Sequence, residues 1–323
     1  MKTAQLPIRS GFGFNSTARE VLGSGSLTNQ IAIVTGGYSG IGLETTRVLA
    51  GVGATVIVPV RTPDKAKKAL ETIPRVELVP MDLADPKSID AFATSFVRSR
   101  RPFHFLINNA GIMATPLRRD ARGYESQFAT NHLGHFQLTV RLWPALASGA
   151  RIVSLSSRGH QGSGVDFDDT MFERRTYDKW VAYGQSKTAN ALFAVGLEAR
   201  GGARGIHAFA VHPGLIITDL IRHLSAEEQA ALGVVGGKGE MKSPITNTTL
   251  HLKTVEQGAA TQVWAATSEM LEGKGGVYCE DCDIAEVVQE AGPRGVRPYA
   301  IDPALAEELW KRSEAWTGVK LEA

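Results

Sequence analysis

A tyrosine and a lysine stand four residues apart in the segment Tyr183-Gly184-Gln185-Ser186-Lys187. On a helix this spacing places both side chains on one face, so the phenol and the ammonium point into the same cleft. A nearby ammonium favours the phenolate, so we expect the tyrosine pKa to fall from about 10 toward neutral. Such a group suits general acid–base chemistry. Taken alone, however, the spacing is common on helix surfaces.

Two hydroxyls follow an apolar run further upstream. Residues 151–155 predict a buried strand, and Ser156 and Ser157 come directly after it. Ligands bind beyond the carboxyl edge of a parallel sheet, where a hydroxyl can donate a hydrogen bond to a carbonyl oxygen as it becomes an alkoxide. Successive side chains of a strand point to opposite faces, so only one of the two serines can face a site there.

A glycine-rich turn, Thr35-Gly36-Gly37-Tyr38-Ser39-Gly40-Ile41-Gly42, lies between an apolar run and a stretch with helical spacing. Glycines let the backbone approach phosphates closely, and a helix N-terminus offers unpaired N–H groups. Glycines also serve plain tight turns, but the position after the first predicted strand favours a dinucleotide site. The residues expected to bind the cofactor here are Gly36, Ser39, Gly40, Ile41 and Gly42.

The end of the next predicted strand bears on the choice between NAD(H) and NADP(H). NAD-binding folds usually place an acidic residue there, which bonds the adenosine ribose 2′-OH. Val60 holds that position here, and Arg61 follows it. A guanidinium suits a 2′-phosphate through charge-assisted bonds, although a charge at a strand end can also be simply solvated. The sequence therefore favours NADP(H) over NAD(H).

Strand-like and helix-like segments alternate along the chain. The predicted strands are residues 31–35, 54–60, 76–79, 103–107, 151–155 and 206–211. The predicted helices are residues 41–51, 63–71, 86–98, 123–143 and 180–200. Continuous apolar strands indicate burial on both faces. We therefore expect an α/β fold with a Rossmann-type, doubly wound parallel sheet and helices on both faces.

No break in composition divides the chain, so we expect a single dinucleotide-binding catalytic domain over residues 28–323. Residues 1–27 form an extension, which could be a subunit contact or a strap over the domain. Residues 222–254 interrupt the alternation and are rich in glycine. A long insertion of this kind is often a lid over the site, although surface elaboration is nearly as common.

Composition narrows the classes of partner and compartment. The chain carries 35 basic and 33 acidic residues, a net charge of +2, so neither nucleic acid nor an anionic membrane is an expected partner. Cys279 and Cys282 have a CxxC spacing without a second ligand pair, which favours a structural role over zinc or redox chemistry. Two cysteines fit a reducing compartment. With no signal-peptide core and no run of roughly 20 apolar residues, we expect a cytoplasmic protein.

Six ordered motifs resemble the short-chain dehydrogenase/reductase family over roughly residues 30–219. They are the turn at residues 35–42, Asn108-Asn109-Ala110-Gly111, Asn131, Ser157, Tyr183 with Lys187, and Pro213-Gly214 leading to Thr218. Within the family, residues 131–136, residues 211–214 and the long interval between Ser157 and Tyr183 are similar to the retinol dehydrogenase and WW-domain oxidoreductase branch.

The resemblance implies carbonyl reduction, with a role for each matching catalytic residue. Tyr183 would protonate the carbonyl oxygen, and Ser157, the second serine of its pair, would hold that oxygen. Lys187 would bond the nicotinamide ribose and keep the tyrosine acidic. Asn131 would hold a kink in its helix and a water on the proton relay.

The resemblance also implies contacts to the cofactor outside the glycine turn. Those contacts are Asp82 and Leu83 at the adenine, Asn109, Ala110 and Gly111 along the adenosine and ribose, and Pro213, Gly214 and Thr218 at the nicotinamide carboxamide. Members of the family commonly form homodimers or homotetramers.

These observations predict an NADP(H)-dependent oxidoreductase that interconverts a ketone or aldehyde and an alcohol. One alternative is an epimerase or dehydratase that retains its nicotinamide, and the spacing between Gly36 and Gly40 speaks against it. Another is a non-catalytic interaction protein that senses the redox state of the cofactor. Such proteins tend to lose the tyrosine or the lysine, and Tyr183 and Lys187 are both present.

Overall fold

The strands of the computed structural model, which describes residues 3–231, 240–242 and 249–322, form one large sheet and one small hairpin. Their bounds are β1 Ile31–Val34, β2 Thr55–Val60, β3 Val76–Pro80, β4 Phe103–Asn108, β5 Leu146–Leu155, β6 His207–His212, β7 Glu240–Lys242, β8 Thr249–His251, β9 Val277–Glu280 and β10 Asp283–Ile284. The large sheet has the order β10-β9-β6-β5-β4-β1-β2-β3, and β7 pairs only with β8. All neighbours in the large sheet are parallel except the antiparallel β9 and β10.

Helices connect the parallel strands. Their bounds are α1 Ala18–Leu22, α2 Gly40–Gly51, α3 Pro63–Leu70, α4 Pro86–Arg98, α5 Ser126–Phe128, α6 Gly134–Leu142, α7 Lys179–Gly201, α8 Ala226–Ala231, α9 Val255–Gly258, α10 Ala260–Thr267 and α11 Pro303–Thr317. One apolar core packs side chains of α4, α6, α7 and α11 against the sheet, and the other packs those of α1, α2, α3 and α10. The predicted doubly wound α/β fold with a mostly parallel sheet is confirmed.

The carboxyl ends of the parallel strands meet at one edge of the sheet, which is where ligands bind in folds of this kind. The glycine turn follows β1, Arg61 follows β2, and Asn109 follows β4. Ser156 follows β5, and Pro213 follows β6. The central strand order β6-β5-β4-β1-β2 therefore brings most of the predicted motifs to one side of the molecule.

Two predicted elements differ from those observed by more than one residue at an end. The helix predicted over residues 123–143 begins at Ser126, and a π-helical turn at Ala129–Leu133 separates α5 from α6. Strand β5 begins at Leu146, five residues before its predicted start. Its first part is partly exposed and contains Gly149 at φ +73°, so no continuous apolar run marks it.

The N-terminal extension lies along the β9–β10 edge of the sheet. The Gln5 side chain donates to the carbonyls of Tyr278 and Ala285 at 2.7 Å each and accepts from the Tyr278 amide at 2.9 Å. The Asp283 carboxylate accepts from the amides of Ile8 and Arg9. These contacts are those of a strap over the domain, one of the two roles left open by the sequence.

The segment predicted as a lid, residues 222–254, is described only at its two ends and at β7. Residues 232–239 and 243–248 lie outside the described residues. At the first end, Leu224 is buried in a small apolar cluster with Ala114, and Met113, Trp180 and Ile221 pack against it. At the other end, Leu252 forms a parallel bridge with Leu215.

Candidate active site

An open cleft runs along the carboxyl edge of the sheet. It joins the glycine turn at one end to Ser157, Tyr183 and Lys187 at the other. The residues predicted from sequence that line it are Gly36, Ser39, Gly40, Ile41, Asn109, Ala110, Gly111, Ser157, Tyr183, Lys187, Pro213, Gly214 and Thr218. The folded chain therefore gathers the residues predicted to bind phosphate and those predicted to transfer a proton around one space.

The glycine turn has the shape that a dinucleotide requires. Gly36 and Gly40 have φ values of +65° and +51°, which side-chain-bearing residues rarely adopt. A Cβ at Gly36 would lie 3.1 Å from Asn109 Nδ2, and one at Gly40 would lie 3.2 Å from Thr218 Cγ2. Because α2 begins at Gly40, its unpaired N–H groups face the cleft at that point. The turn fits a pyrophosphate.

Thr35 ties the glycine turn to the loop after β4. Its Oγ1 accepts hydrogen bonds from the amides of Asn109 at 2.9 Å and Ala110 at 3.0 Å. The side-chain amide of Asn109 returns a bond to the Thr35 carbonyl at 2.8 Å. Two loops that line the cleft and follow adjacent strands are thus tied to each other, which fixes the width of the cleft at this point.

The two serines after β5 point in different directions. Ser157 lines the cleft, where its hydroxyl and the Tyr183 ring both lie against Gly159. Its Oγ also accepts from the Gly159 amide at 3.1 Å, because Ser157 caps the short 3₁₀ helix Arg158–Gly162. The buried Ser156 instead donates to the Lys187 carbonyl at 2.7 Å. Geometry therefore favours Ser157 for contact with a carbonyl oxygen.

The electrostatics of Tyr183 differ from those expected. Burial raises the pKa of Tyr183 to about 12, and the hydrogen bond with Ser157 offsets this rise only in part. Lys187 Nζ lies 5.6 Å from the centroid of the Tyr183 ring and donates to the Leu155 carbonyl at 3.0 Å. Burial also lowers the pKa of Lys187 to about 8. The prediction of a tyrosine pKa lowered toward neutral is wrong for this structure, because desolvation disfavours the phenolate.

Asn131 lies in the π-helical turn, beneath the cleft and outside its lining. Its side chain donates to the Ile112 carbonyl and to Ser186 Oγ, and accepts from the Ile112 amide, each at 2.9 Å. A Cβ at Gly111 would lie 3.2 Å from Asn131 Oδ1. Asn131 therefore braces the loop after β4 against the helix that carries Tyr183 and Lys187.

Four other predicted cofactor residues do not line the cleft. Gly42 packs behind the glycine turn, where a Cβ would lie 2.4 Å from the Gly36 carbonyl oxygen. Arg61 is exposed after β2 and forms no ion pair with any described residue. Asp82 and Leu83 follow β3; the Asp82 carboxylate accepts from the Ala84 amide, and Leu83 packs against Gly134. Their strands place Arg61, Asp82 and Leu83 beyond the glycine-turn end of the cleft.

The cleft wall near Tyr183 is mainly apolar. Met113, Leu215, Ile217 and Ile221 line it, and Trp180 packs against the neighbouring Leu224 cluster. From the sequence, Met113 and Trp180 could line the substrate cavity or belong to the core. Residues 215–217, between Gly214 and Thr218, were not predicted to line the cavity. Their only signal was their place within one loop, between two residues of a recognised motif.

Other residues singled out from the sequence lie away from the cleft. Cys279 and Cys282 are both unpaired and buried, and Cys282 contacts Thr261. His132 bonds Ser313 at 2.8 Å, and His135 Nδ1 bonds the Asn131 carbonyl at 2.9 Å. The described residues contain no group of three or more side chains arranged to hold a metal, and no helix long and apolar enough to cross a membrane.

Two relatives match nearly the whole chain. A Streptomyces antibioticus protein named "Probable oxidoreductase" is 46% identical over 296 residues, or 88% of this chain and 96% of the relative. The "Short-chain dehydrogenase TIC 32 B, chloroplastic" of Brassica napus is 37% identical over 320 residues, or 94% of this chain and 93% of the relative.

Solved structures match as well. An uncharacterized protein from Mycobacterium paratuberculosis has a TM-score of 0.73 and 31% identity, covering 96% of this chain and all of the other. A short chain dehydrogenase from Burkholderia cenocepacia, solved in complex with NADP, has a TM-score of 0.61 and 22% identity, covering 79% and 97%. The short chain dehydrogenase family model matches residues 30–229. This chain is a member of the short chain dehydrogenase family of oxidoreductases.

Proposed function

We propose that this protein uses NADP(H) to interconvert a ketone or aldehyde and an alcohol, with Tyr183 as the general acid and base. The observation that carries the proposal is that Ser157, Tyr183 and Lys187 line the same cleft as the glycine turn. A proton donor and a phosphate-binding backbone in one cleft are the parts that nicotinamide-dependent carbonyl reduction requires.

The protonation of Tyr183 suits the reductive direction. With a pKa raised to about 12 by burial, the phenol keeps its proton at neutral pH and can donate it to a carbonyl oxygen. Ser157 positions that oxygen through its own hydroxyl, next to the phenol. A bound nicotinamide would supply the hydride that reduces the carbonyl carbon. Lys187, whose pKa burial lowers to about 8, remains mostly protonated at pH 7 and serves as a donor to the cofactor ribose.

The proposed cofactor contacts extend along the whole edge of the sheet. Gly36, Ser39, Gly40 and Ile41 bind the pyrophosphate, while Gly42 allows the turn to close. The remaining proposed contacts are Asp82 and Leu83 at the adenine, Asn109, Ala110 and Gly111 along the ribose, and Pro213, Gly214 and Thr218 at the carboxamide. Asn131 is proposed as a catalytic residue, which holds its helix turn and a water on the proton relay.

The preference for NADP(H) rests on Arg61. Its guanidinium is exposed at the carboxyl end of β2, and among the described residues no carboxylate neutralises it. A free guanidinium there can bind a 2′-phosphate through charge-assisted hydrogen bonds. The structural relative from Burkholderia cenocepacia was solved with NADP, which supports the same choice.

The decisive experiment is an NADPH-oxidation assay over a panel of ketones and aldehydes, repeated with NADH. Tyr183→Phe removes the proton donor and should abolish turnover while cofactor binding is kept. Tyr124→Phe is the matched control, because Tyr124 lies outside the cleft lining. Wild-type rates in Tyr183→Phe would refute the assignment of the general acid. Cofactor binding without turnover of any carbonyl would refute the proposed reaction.

We also propose how the chain is organised into a domain, a strap and a lid. We assign residues 28–323 to one catalytic domain, residues 1–27 to a strap, and residues 222–254 to a substrate lid supported by the burial of Leu224. A homodimer or homotetramer in the cytoplasm is the proposed state, although the Brassica napus relative is named chloroplastic. Light scattering and cell fractionation test these two assignments.

A further inference from the structure

A buried ion pair lies behind the loop that closes the nicotinamide end of the cleft. The side chain of Lys253 is fully buried, and its Nζ is 2.7 Å from Oδ1 of Asp281. Arg294 reaches Oδ2 of the same carboxylate at 3.0 Å, but its own side chain is 68% exposed. The ring of Phe14, from the N-terminal strap, has its centroid 5.0 Å from Lys253 Nζ. The strap therefore shields the ammonium on one side.

The stem of Lys253 packs directly on the cofactor loop. Gly214 has φ +94°, and a Cβ there would lie only 2.6 Å from Lys253 Cδ. The Lys253 amide also donates to the Leu215 carbonyl at 2.8 Å. Gly214 and Leu215 both line the cleft. Lys253 thus contacts the outer side of a loop whose inner side faces the cleft.

Asp281 is itself held in a fixed place. It lies in the turn between β9 and β10 with φ +48°, a conformation uncommon for a residue with a side chain. The Asp283 carboxylate, two residues later, binds the strap amides of Ile8 and Arg9. The carboxylate that receives Lys253 is therefore part of a rigid corner built from the sheet edge and the strap.

Such a pair is a weak source of stability, because the cost of desolvating two charges offsets most of their attraction. Its geometric effect is stronger. Among the described residues, Asp281 is the carboxylate that pairs with this buried ammonium, so the pair restricts the path of the lysine stem across Gly214. By restricting the lysine stem, the charge pair can fix the position of the loop at Gly214 that the stem contacts.

We propose that Lys253 is a positioning residue, which acts through Asp281 to hold residues 213–216 at the distance from Tyr183 that the nicotinamide requires. This role rests on the proposed function, since it assigns the nicotinamide to that loop. Lys253 does not touch the cleft, so it acts only through the loop. The strap takes part by covering the ion pair with Phe14.

The test compares Lys253→Met, which keeps the apolar stem over Gly214 but removes the charge, with Asp281→Asn and the milder Phe14→Ala. Arg294→Met is the matched control, because it removes the exposed partner of the same carboxylate. For each folded variant, confirmed by circular dichroism, the dissociation constant of NADPH is measured by calorimetry. Steady-state kinetics then give kcat and both KM values.

We expect Lys253→Met and Asp281→Asn to raise the NADPH dissociation constant and KM about tenfold and to lower kcat, with the carbonyl KM changing less than about twofold. Phe14→Ala should shift the same quantities in the same direction by a smaller factor, and Arg294→Met should leave them unchanged. The double variant of Lys253 and Asp281 should be no worse than either single one, because both act through one contact.

A merely structural role gives a different signature. Loss of a fraction of the protein to misfolding lowers kcat alone and leaves the NADPH dissociation constant of the remaining molecules unchanged, and that result would overturn the proposal. Independent, additive effects of Lys253→Met and Asp281→Asn would overturn it as well. Wild-type protein that binds NADPH but reduces no carbonyl would refute the proposed function, while the binding comparison would still decide the role of Lys253.

Discussion

Gly159 lies directly against the ring of Tyr183. A Cβ built at Gly159 would be 3.0 Å from both Cδ1 and Cε1 of that ring, closer than real Cβ atoms normally approach a neighbour. The Gly159 amide also donates to Ser157 Oγ. The absence of a side chain at Gly159 therefore lets the Tyr183 ring lie close to the Ser157 hydroxyl.

Gly159→Ala should lower kcat about tenfold or more, because displacement of the Tyr183 ring disturbs the alignment of the proton donor. The NADPH dissociation constant should stay within about twofold, since Gly159 does not line the cleft. Gly164→Ala is the control, because its nearest neighbour is Tyr299 Cδ2 at 3.9 Å. Equal kcat values for the two variants would contradict the predicted contact.

The affinity for NADPH should depend on pH through Lys187. Burial lowers its pKa to about 8, so the ammonium is present below pH 8 and is lost as the pH rises above it. If this ammonium binds the ribose, the NADPH dissociation constant should be flat from pH 6 to 7.5 and should rise above about pH 8. Lys187→Arg keeps its charge at all these pH values, so this rise should be absent. If the NADPH dissociation constants of the wild type and Lys187→Arg depend on pH in the same way, Lys187 is not the group that binds the ribose.

The raised pKa of Tyr183 predicts how the rate of carbonyl reduction depends on pH. Because burial raises its pKa to about 12, the phenol remains protonated throughout the range in which the protein can be assayed. The rate of carbonyl reduction at saturating NADPH should therefore show no loss between pH 6 and about 9. A fall with a midpoint near pH 7 would mean that cofactor binding lowers the tyrosine pKa by several units.

Arg61→Asp should change cofactor preference. The loss of charge-assisted bonds to the 2′-phosphate should weaken NADPH binding by roughly tenfold to a hundredfold, whereas NADH should change by less than about threefold. Arg204→Asp, an equally exposed arginine in the 3₁₀ turn before β6, controls for the change in net charge. Equal losses of affinity for NADPH and NADH would refute the proposed contact between Arg61 and the 2′-phosphate.

The lid assignment can be tested at its described end. Leu224→Ala should raise the KM for apolar carbonyl substrates several-fold, because it removes packing beside Met113 and Trp180. The affinity for NADPH should be nearly unchanged, and Leu6→Ala, at a residue 64% exposed, provides the control. Deletion of the middle of residues 222–254 should have the same effect on a larger scale. Unchanged substrate kinetics in both variants would rule out a lid.

The fold could be predicted from local signals. Residues 54–60, for example, form a nearly continuous apolar run, because strand β2 is covered on both faces. Such a run can be recognised from a few consecutive residues. The candidate catalytic residues were recognisable because each lies next to such a run or within a helix. Their roles, and the resemblance to the retinol dehydrogenase branch, remain predictions.

Other features depend on distances that no local pattern contains. The expected effect of Lys187 on the Tyr183 pKa was wrong because spacing on a helix gives proximity but not depth of burial. The pair of Lys253 and Asp281 joins a lysine in an irregular segment to an aspartate in a hairpin turn, and neither residue has a distinctive neighbour in sequence. Strand β9 was not predicted, because its four residues end in Glu280 and so form no continuous apolar run.

The attachment of the strap has a consequence for biosynthesis. Gln5 bonds Tyr278 and Ala285, which lie 273 and 280 positions further along the chain. A ribosome must therefore release nearly the whole polypeptide before the first residues find their binding site. Strands β1 to β6 can assemble earlier, as parallel strands with nearer partners do. A chain terminated before Asp281 would therefore contain the glycine turn and Tyr183 but would lack the carboxylate that pairs with Lys253 behind Gly214.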